Sequence, residues 1–104
     1  MKTYELKILP LFENDLNEII EYIAGTLGNP IAASSMVSEV EKAIYDRLQS
    51  AEVFEQYELN SKHELPYYKI HVKNYTIFYV VIGNVMEVRR IIYSRRNIHI
   101  RDWR

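Results

Sequence analysis

Apolar and polar positions over residues 67–97 alternate and then run together in a pattern that predicts three strands. Tyr68, Ile70 and Val72 alternate with Lys69, His71 and Lys73, and Asn74 then interrupts. The run YTIFYVVI that follows (75–82) is nearly continuous in the β-branched and aromatic residues that suit a buried strand. Gly83-Asn84 breaks it with a pair able to take the positive φ angles of a two-residue hairpin turn, so residues 85–93 should fold back antiparallel. Nearer the start, Tyr4, Leu6 and Ile8 alternate with Glu5, Lys7 and Leu9, which predicts a short first strand stopped at Pro10.

Helical spacing follows. Leu16, Ile19, Ile20, Ile23 and Leu27 make one apolar stripe, with Asn14 or Asp15 as cap and Asp15, Glu18 and Glu21 in the early turns where the helix dipole favours acids. Gly28-Asn29-Pro30 breaks the pattern and restarts it, with Asn29 as N-cap and Pro30 at the first helical position. Ala33, Val37, Val40, Ile44 and Leu48 then recur at helical spacing. Residues 49–66 hold no sustained period and read as a loop anchored by Phe54 and Leu59. The order strand, helix, helix, strand, strand, strand (β-α-α-β-β-β) is an α+β arrangement: an N-terminal strand and a two-helix hairpin packed on one face of a small antiparallel sheet.

Composition narrows the function classes. The 104 residues fit one small domain, 1–104, and 48% hydrophobic with 26% charged is ordinary for a soluble globular protein. No stretch approaches the ~20 apolar residues of a membrane span, and charges stand where a signal peptide would carry its apolar region, so a cytoplasmic protein without membrane contact is expected. With no cysteine, disulfides, thiolate catalysis and the common structural zinc sites are excluded. His63, His71 and His99 lack ligand spacing to any carboxylate pair, and no glycine loop could cradle phosphates, so neither metal nor cofactor is expected.

The net charge of -1 hides an asymmetry. Residues 1–61 carry four Lys/Arg against eleven Asp/Glu, a net of -7, whereas residues 62–104 carry nine against three, a net of +6. Such polarity points to a polyanionic partner for the basic half. The cations collect on the strands: Lys69, His71, Lys73, Arg89, Arg90, Arg95 and Arg96. Each also has a structural reading. Strand lysines discourage edge pairing, and Arg89 and Arg90 could form ion pairs with Glu87, Glu64 or helix acids.

The strand Tyr68-Lys69-Ile70-His71-Val72-Lys73, followed by YTIFYVV, the Gly-Asn turn, a valine-bearing strand and Tyr93-Ser94-Arg95-Arg96-Asn97, resembles the RelE/ParE superfamily of bacterial toxin-antitoxin modules. The resemblance covers nearly the whole chain and is most specific in the last third. It implies one of two activities. The RelE-like branch, which the resemblance favours, is a metal-independent, ribosome-dependent endoribonuclease acting on messenger RNA; the ParE-like branch inhibits DNA gyrase without nuclease chemistry. Either implies a cognate antitoxin with an acidic, amphipathic tail that folds on the toxin over Lys69, His71, Arg90 and Arg96.

In the nuclease reading, Lys69, His71, Arg90 and Arg96 form the catalytic set, because a 2'-hydroxyl must lose a proton while phosphate charge grows and the 5'-oxygen is protonated. Lys69 and His71, two apart, share a strand face, and Lys73 is expected to continue their row. His71 stands where a second lysine is usual, and an imidazole is the more natural base near neutral pH. Arg96, or its neighbour Arg95, matches the phosphate-gripping arginine after the last strand. Lys73, Arg89, Tyr93 and Arg95 are the expected substrate contacts, with Tyr93, and Trp103 as well, as stacking surfaces for a splayed base. Thr76 departs from the RelE-like pattern, which has arginine there. Arg89 or Arg90, expected to point to opposite faces, would have to supply the missing cation.

Overall fold

The computed structural model describes residues 3–57 and 65–95. Its elements run β1 (Glu5–Ile8), α1 (Pro10–Glu21) continued by a π-helical turn (Tyr22–Thr26), α2 (Pro30–Leu48), β2 (Tyr68–Val72), β3 (Tyr75–Ile82) and β4 (Val85–Tyr93). β2, β3 and β4 form the antiparallel meander, and the sheet order is β1-β4-β3-β2. β1 adds in parallel to β4, with Lys7 opposite Glu87, so the first and last strands lie side by side. Alternation alone does not reveal that pairing.

α1 starts earlier than its apolar stripe suggests. Pro10, which ends β1, sits at the first helical position, where a missing N–H costs nothing, and Leu9 precedes it without a side-chain cap. Asn14 and Asp15 therefore lie inside the helix and do not cap it. The start of α2 is as expected: Asn29 Oδ1 accepts from the Ala32 N–H at 3.0 Å, and Gly28 takes φ +63° at the break.

The core lies between the helices and one sheet face. Phe12, Met36, Val40 and Ile44 meet alternate strand residues Tyr68, Ile70, Val72, Ile77, Tyr79, Met86, Val88 and Ile91. Tyr68 and Tyr79 stack with ring centroids 5.0 Å apart. A second, smaller cluster of Tyr67, Phe78, Val80 and Ile92 occupies the outer face, which makes β3 buried on both sides and explains its continuous apolar run. Phe54 is no core anchor: it is exposed and carries the Arg47 guanidinium 3.5 Å above its ring. Ala51, fully buried, and the Tyr57–Tyr67 bridge tie the connection down instead, while Leu59 lies outside the described residues. No helix among the described residues is long and apolar enough to cross a membrane.

Candidate functional site

Both tight connections place chemistry. Gly83 takes φ +62° in the β3–β4 turn, as its sequence predicts. The β2–β3 turn puts Lys73 at φ +53°, a left-handed conformation that a lysine adopts only under constraint. Lys73 has therefore left the row of Lys69 and His71. Its ammonium pairs with Glu39 on α2 at 3.1 Å.

A bulge in β4 separates the two arginines. Phe78 faces Arg90 and Tyr79 faces Val88, leaving Arg89 as the extra residue. Arg89 donates to Glu87 Oε2 at 2.8 Å and to the Tyr67 hydroxyl at 3.2 Å. Burial works against its charge, yet these two hydrogen bonds outweigh it and its pKa is raised. Arg90 turns to α1 and grips Asp15 with both ends of its fork, Nε to Oδ2 at 2.6 Å and Nη2 to Oδ1 at 2.8 Å. That bond to Asp15 is the main reason its pKa is raised, against the opposing effect of burial. Asp15 Oδ2 also accepts the Ile91 N–H at 3.2 Å, so one buried carboxylate locks α1 to the strand that carries both arginines.

On β2, the Lys69 ammonium sits 4.0 Å over the Tyr57 ring and 5.8 Å from that of Phe78. Tyr57 is held there by reciprocal backbone bonds with Tyr67. His71 is exposed, and its Nδ1 lies 3.3 Å from the hydroxyl of buried Thr76, which in turn is 2.8 Å from the Ser94 hydroxyl. Arg95 is exposed next to Ser94. Arg96 and Trp103 lie outside the described residues.

Tyr93 belongs to a different place. Its ring meets Tyr75 edge to face at 5.8 Å, and the two, with Tyr22, Ile23, Leu27, Met36 and Lys73, line an open apolar groove of about 670 Å³ between the helix hairpin and the β2–β3 turn. Burial, with Tyr22 and Tyr93 alongside, pushes the Tyr75 phenol up.

The expected cations thus divide. Lys69 and His71 share the outer face of β2, Lys73 and Tyr93 lie by the groove, and Arg89 and Arg90 are committed to carboxylates. Among the described residues no three His, Asp or Glu side chains gather as a metal site. Asp15, Glu39, Tyr57 and Ser94 were missed. Only Asp15 left a signal: it stands three residues after Phe12 and four before Ile19, a charge on an apolar stripe that must have a partner.

A model of the family described as "ParE toxin of type II toxin-antitoxin system, parDE" matches residues 6–98. Among solved structures, the chain is similar to one described as the chromosomal ParDE toxin-antitoxin system from P. aeruginosa, at 16% identity and a TM-score of 0.74 over 89% of this chain and 98% of that one. It is also similar to an archaeal RelE-RelB complex from Pyrococcus horikoshii OT3, at 18% identity and a TM-score of 0.52 over 91% and 99%. A third similar structure, YafQ from E. coli, gives 10% identity and a TM-score of 0.50 over 88% and 94%. No curated protein sequence matches the chain.

Proposed function

The chain belongs to the ParE toxin family of type II toxin-antitoxin systems, and from that membership we propose that it acts by occupying a protein target, DNA gyrase, and does not cut RNA. The observation that carries this reading is the two-pronged Arg90–Asp15 pair. Metal-free cleavage of RNA needs a base, an acid and a cation convergent on one phosphate. Here Arg90 already neutralises a buried carboxylate, Arg89 is held by Glu87, Lys73 by Glu39, and Lys69 lies against an aromatic ring. Moving Arg90 to a substrate would leave Asp15 buried and uncompensated, which costs several kcal/mol. Rigid, internally paired arginines serve instead to hold a shaped surface.

An antitoxin is the second partner in this reading. The similar structures include a ParDE system and a RelE-RelB complex, and a net charge of +6 over residues 62–104 suits an acidic tail. The aromatic groove beside Lys73 offers that tail an apolar seat with a cation on its rim.

The test is supercoiling by purified gyrase with increasing toxin. Inhibition that is relieved by the acidic protein encoded beside the toxin supports the proposal; undiminished supercoiling at toxin in large excess refutes it. The pairing of Lys69 with His71 on one strand face favours the alternative, a messenger-RNA endoribonuclease working on the ribosome, and unaffected gyrase would bring that reading forward.

A further inference from the structure

We infer that β1 is a self-complementary sheet edge, which pairs antiparallel with β1 of a second copy of this chain about a two-fold axis at Leu6 and joins the two four-stranded sheets into one. β1 has β4 on one side, and among the described residues no strand pairs with its other side. Further along that side of β4 the edge is closed, because Asp15 on α1 accepts the Ile91 N–H. The opposite edge of the sheet is also partly covered. There Arg47 occupies the Lys69 carbonyl on β2, and the Tyr57–Tyr67 bridge lies across the approach to that strand.

The direction of each backbone group in β1 follows from its parity. The Glu5 N–H donates to the Asn84 carbonyl at 2.7 Å and the Leu9 N–H to the Val88 carbonyl at 3.0 Å, so the odd-numbered residues bond to β4. The N–H and C=O groups of Leu6 and Ile8 therefore point away from the sheet, where another strand can pair with them. Side chains divide by face. Half-buried Leu6 and Ile8, with Tyr4, pack against the core, whereas Glu5 and Lys7 are exposed on the other face.

Charge then sets the register. An axis at Glu5 would bring two carboxylates face to face, and an axis at Lys7 two ammonium groups; both arrangements repel. An axis at Leu6 sets Glu5 of each copy against Lys7 of the other, in the non-hydrogen-bonded positions where side chains come closest. Leu6 exchanges both of its backbone bonds with its twin, and Ile8 meets Tyr4 on the apolar face. Both charges are available: Glu5 has no ion pair among the described residues, and Lys7 reaches Glu87 only at 3.7 Å. Acidic, apolar, basic is a pattern that complements itself when reversed, and this selects a second copy over a strand of unrelated sequence. An edge of four residues is short, so the dimer is weak and concentration-dependent.

The experiment is sedimentation of the purified chain over rising concentration, with amide hydrogen exchange read at both ends of the range. A monomer–dimer equilibrium is expected, with the Leu6 and Ile8 amides gaining protection only where dimer forms, and the Glu5 and Lys7 amides protected throughout. Glu5→Lys or Lys7→Glu should each weaken the dimer about tenfold or more, since symmetry puts the repulsion into both cross-strand pairs. Mixing the two variants should restore association as a heterodimer, and so should both changes in one chain as a homodimer. Circular dichroism melts establish that the variants are folded; should one fail to fold, the wild-type exchange pattern decides. A monomer at every concentration overturns the proposal, as does a dimer indifferent to the charge changes or one whose added protection lies around Tyr93. Protection of Leu6 and Ile8 that appears only with an added acidic partner protein also overturns it, by assigning the edge to that protein. The inference rests on the backbone and charges of β1 and not on the gyrase reading, so either can fail without the other.

Discussion

Asp15 is the residue on which most depends. Its side chain is 10% exposed and that of Arg90 16%, so each charge relies on the other. Asp15→Ala should lower stability by about 3 kcal/mol, because it removes both prongs of the bond to the Arg90 guanidinium and the acceptor of the Ile91 N–H, while Asp15→Leu combined with Arg90→Met should recover much of that loss. Chemical denaturation of the double-mutant cycle measures this. Tyr79 makes a second prediction. It is fully buried, donates to the Ala51 carbonyl at 2.7 Å and accepts from Arg47 at 3.0 Å. Burial pushes its phenol up, with Arg47 opposing in part. A folded pKa above the unfolded value of ~10 means that its contribution is complete below that pH and is lost as pH rises through the raised value. Tyr4, held up to about 12 chiefly by its hydrogen bond to Glu52, acts in the same direction. Stability should therefore fall above about pH 10, and Tyr79→Phe should flatten that fall in denaturant midpoints measured against pH.

The strands and helices were legible because each carries a period and a stop: alternation to Val72, a glycine turn at Gly83, and a cap-proline start at Asn29-Pro30. Besides the parallel pairing of β1 with β4, two local features were not legible. The true start of α1 was hidden because Pro10 both ends a strand and opens a helix. The β2–β3 turn was hidden in its detail because nothing in the Lys73-Asn74 pair announces that the lysine takes the positive φ angle. The two turns then give opposite outcomes. Gly83→Ala should destabilise by about 1 kcal/mol, since alanine pays a steric cost in that region. Lys73→Asn should stabilise by about 0.5 kcal/mol, because asparagine tolerates the conformation and the half-exposed bond to Glu39 contributes little. Thermal melts of the two variants decide it.

Taken as one body, the molecule sets acidic helices against a basic sheet, and part of that polarity is spent internally. Asp15 and Glu39 on the helices hold Arg90 and Lys73 from the sheet side. The sequence offers Glu87 and the helix acids as partners for Arg89 and Arg90, but not the choice of Asp15 or the pairing of Lys73 with Glu39, since an ion pair between residues 75 positions apart follows from packing and leaves no local spacing. For that reason a row of cations looked catalytic along the chain and divides into separate places in the fold. The proposed function requires these paired cations to make a binding surface without nuclease chemistry. Incubation of the purified chain with programmed ribosomes in single-turnover conditions, over a range of pH, tests it most directly. The messenger should stay intact at every pH, in wild type and in His71→Ala alike; cleavage by the wild type that falls about a hundredfold in His71→Ala, the loss expected for one acid-base group, would contradict it.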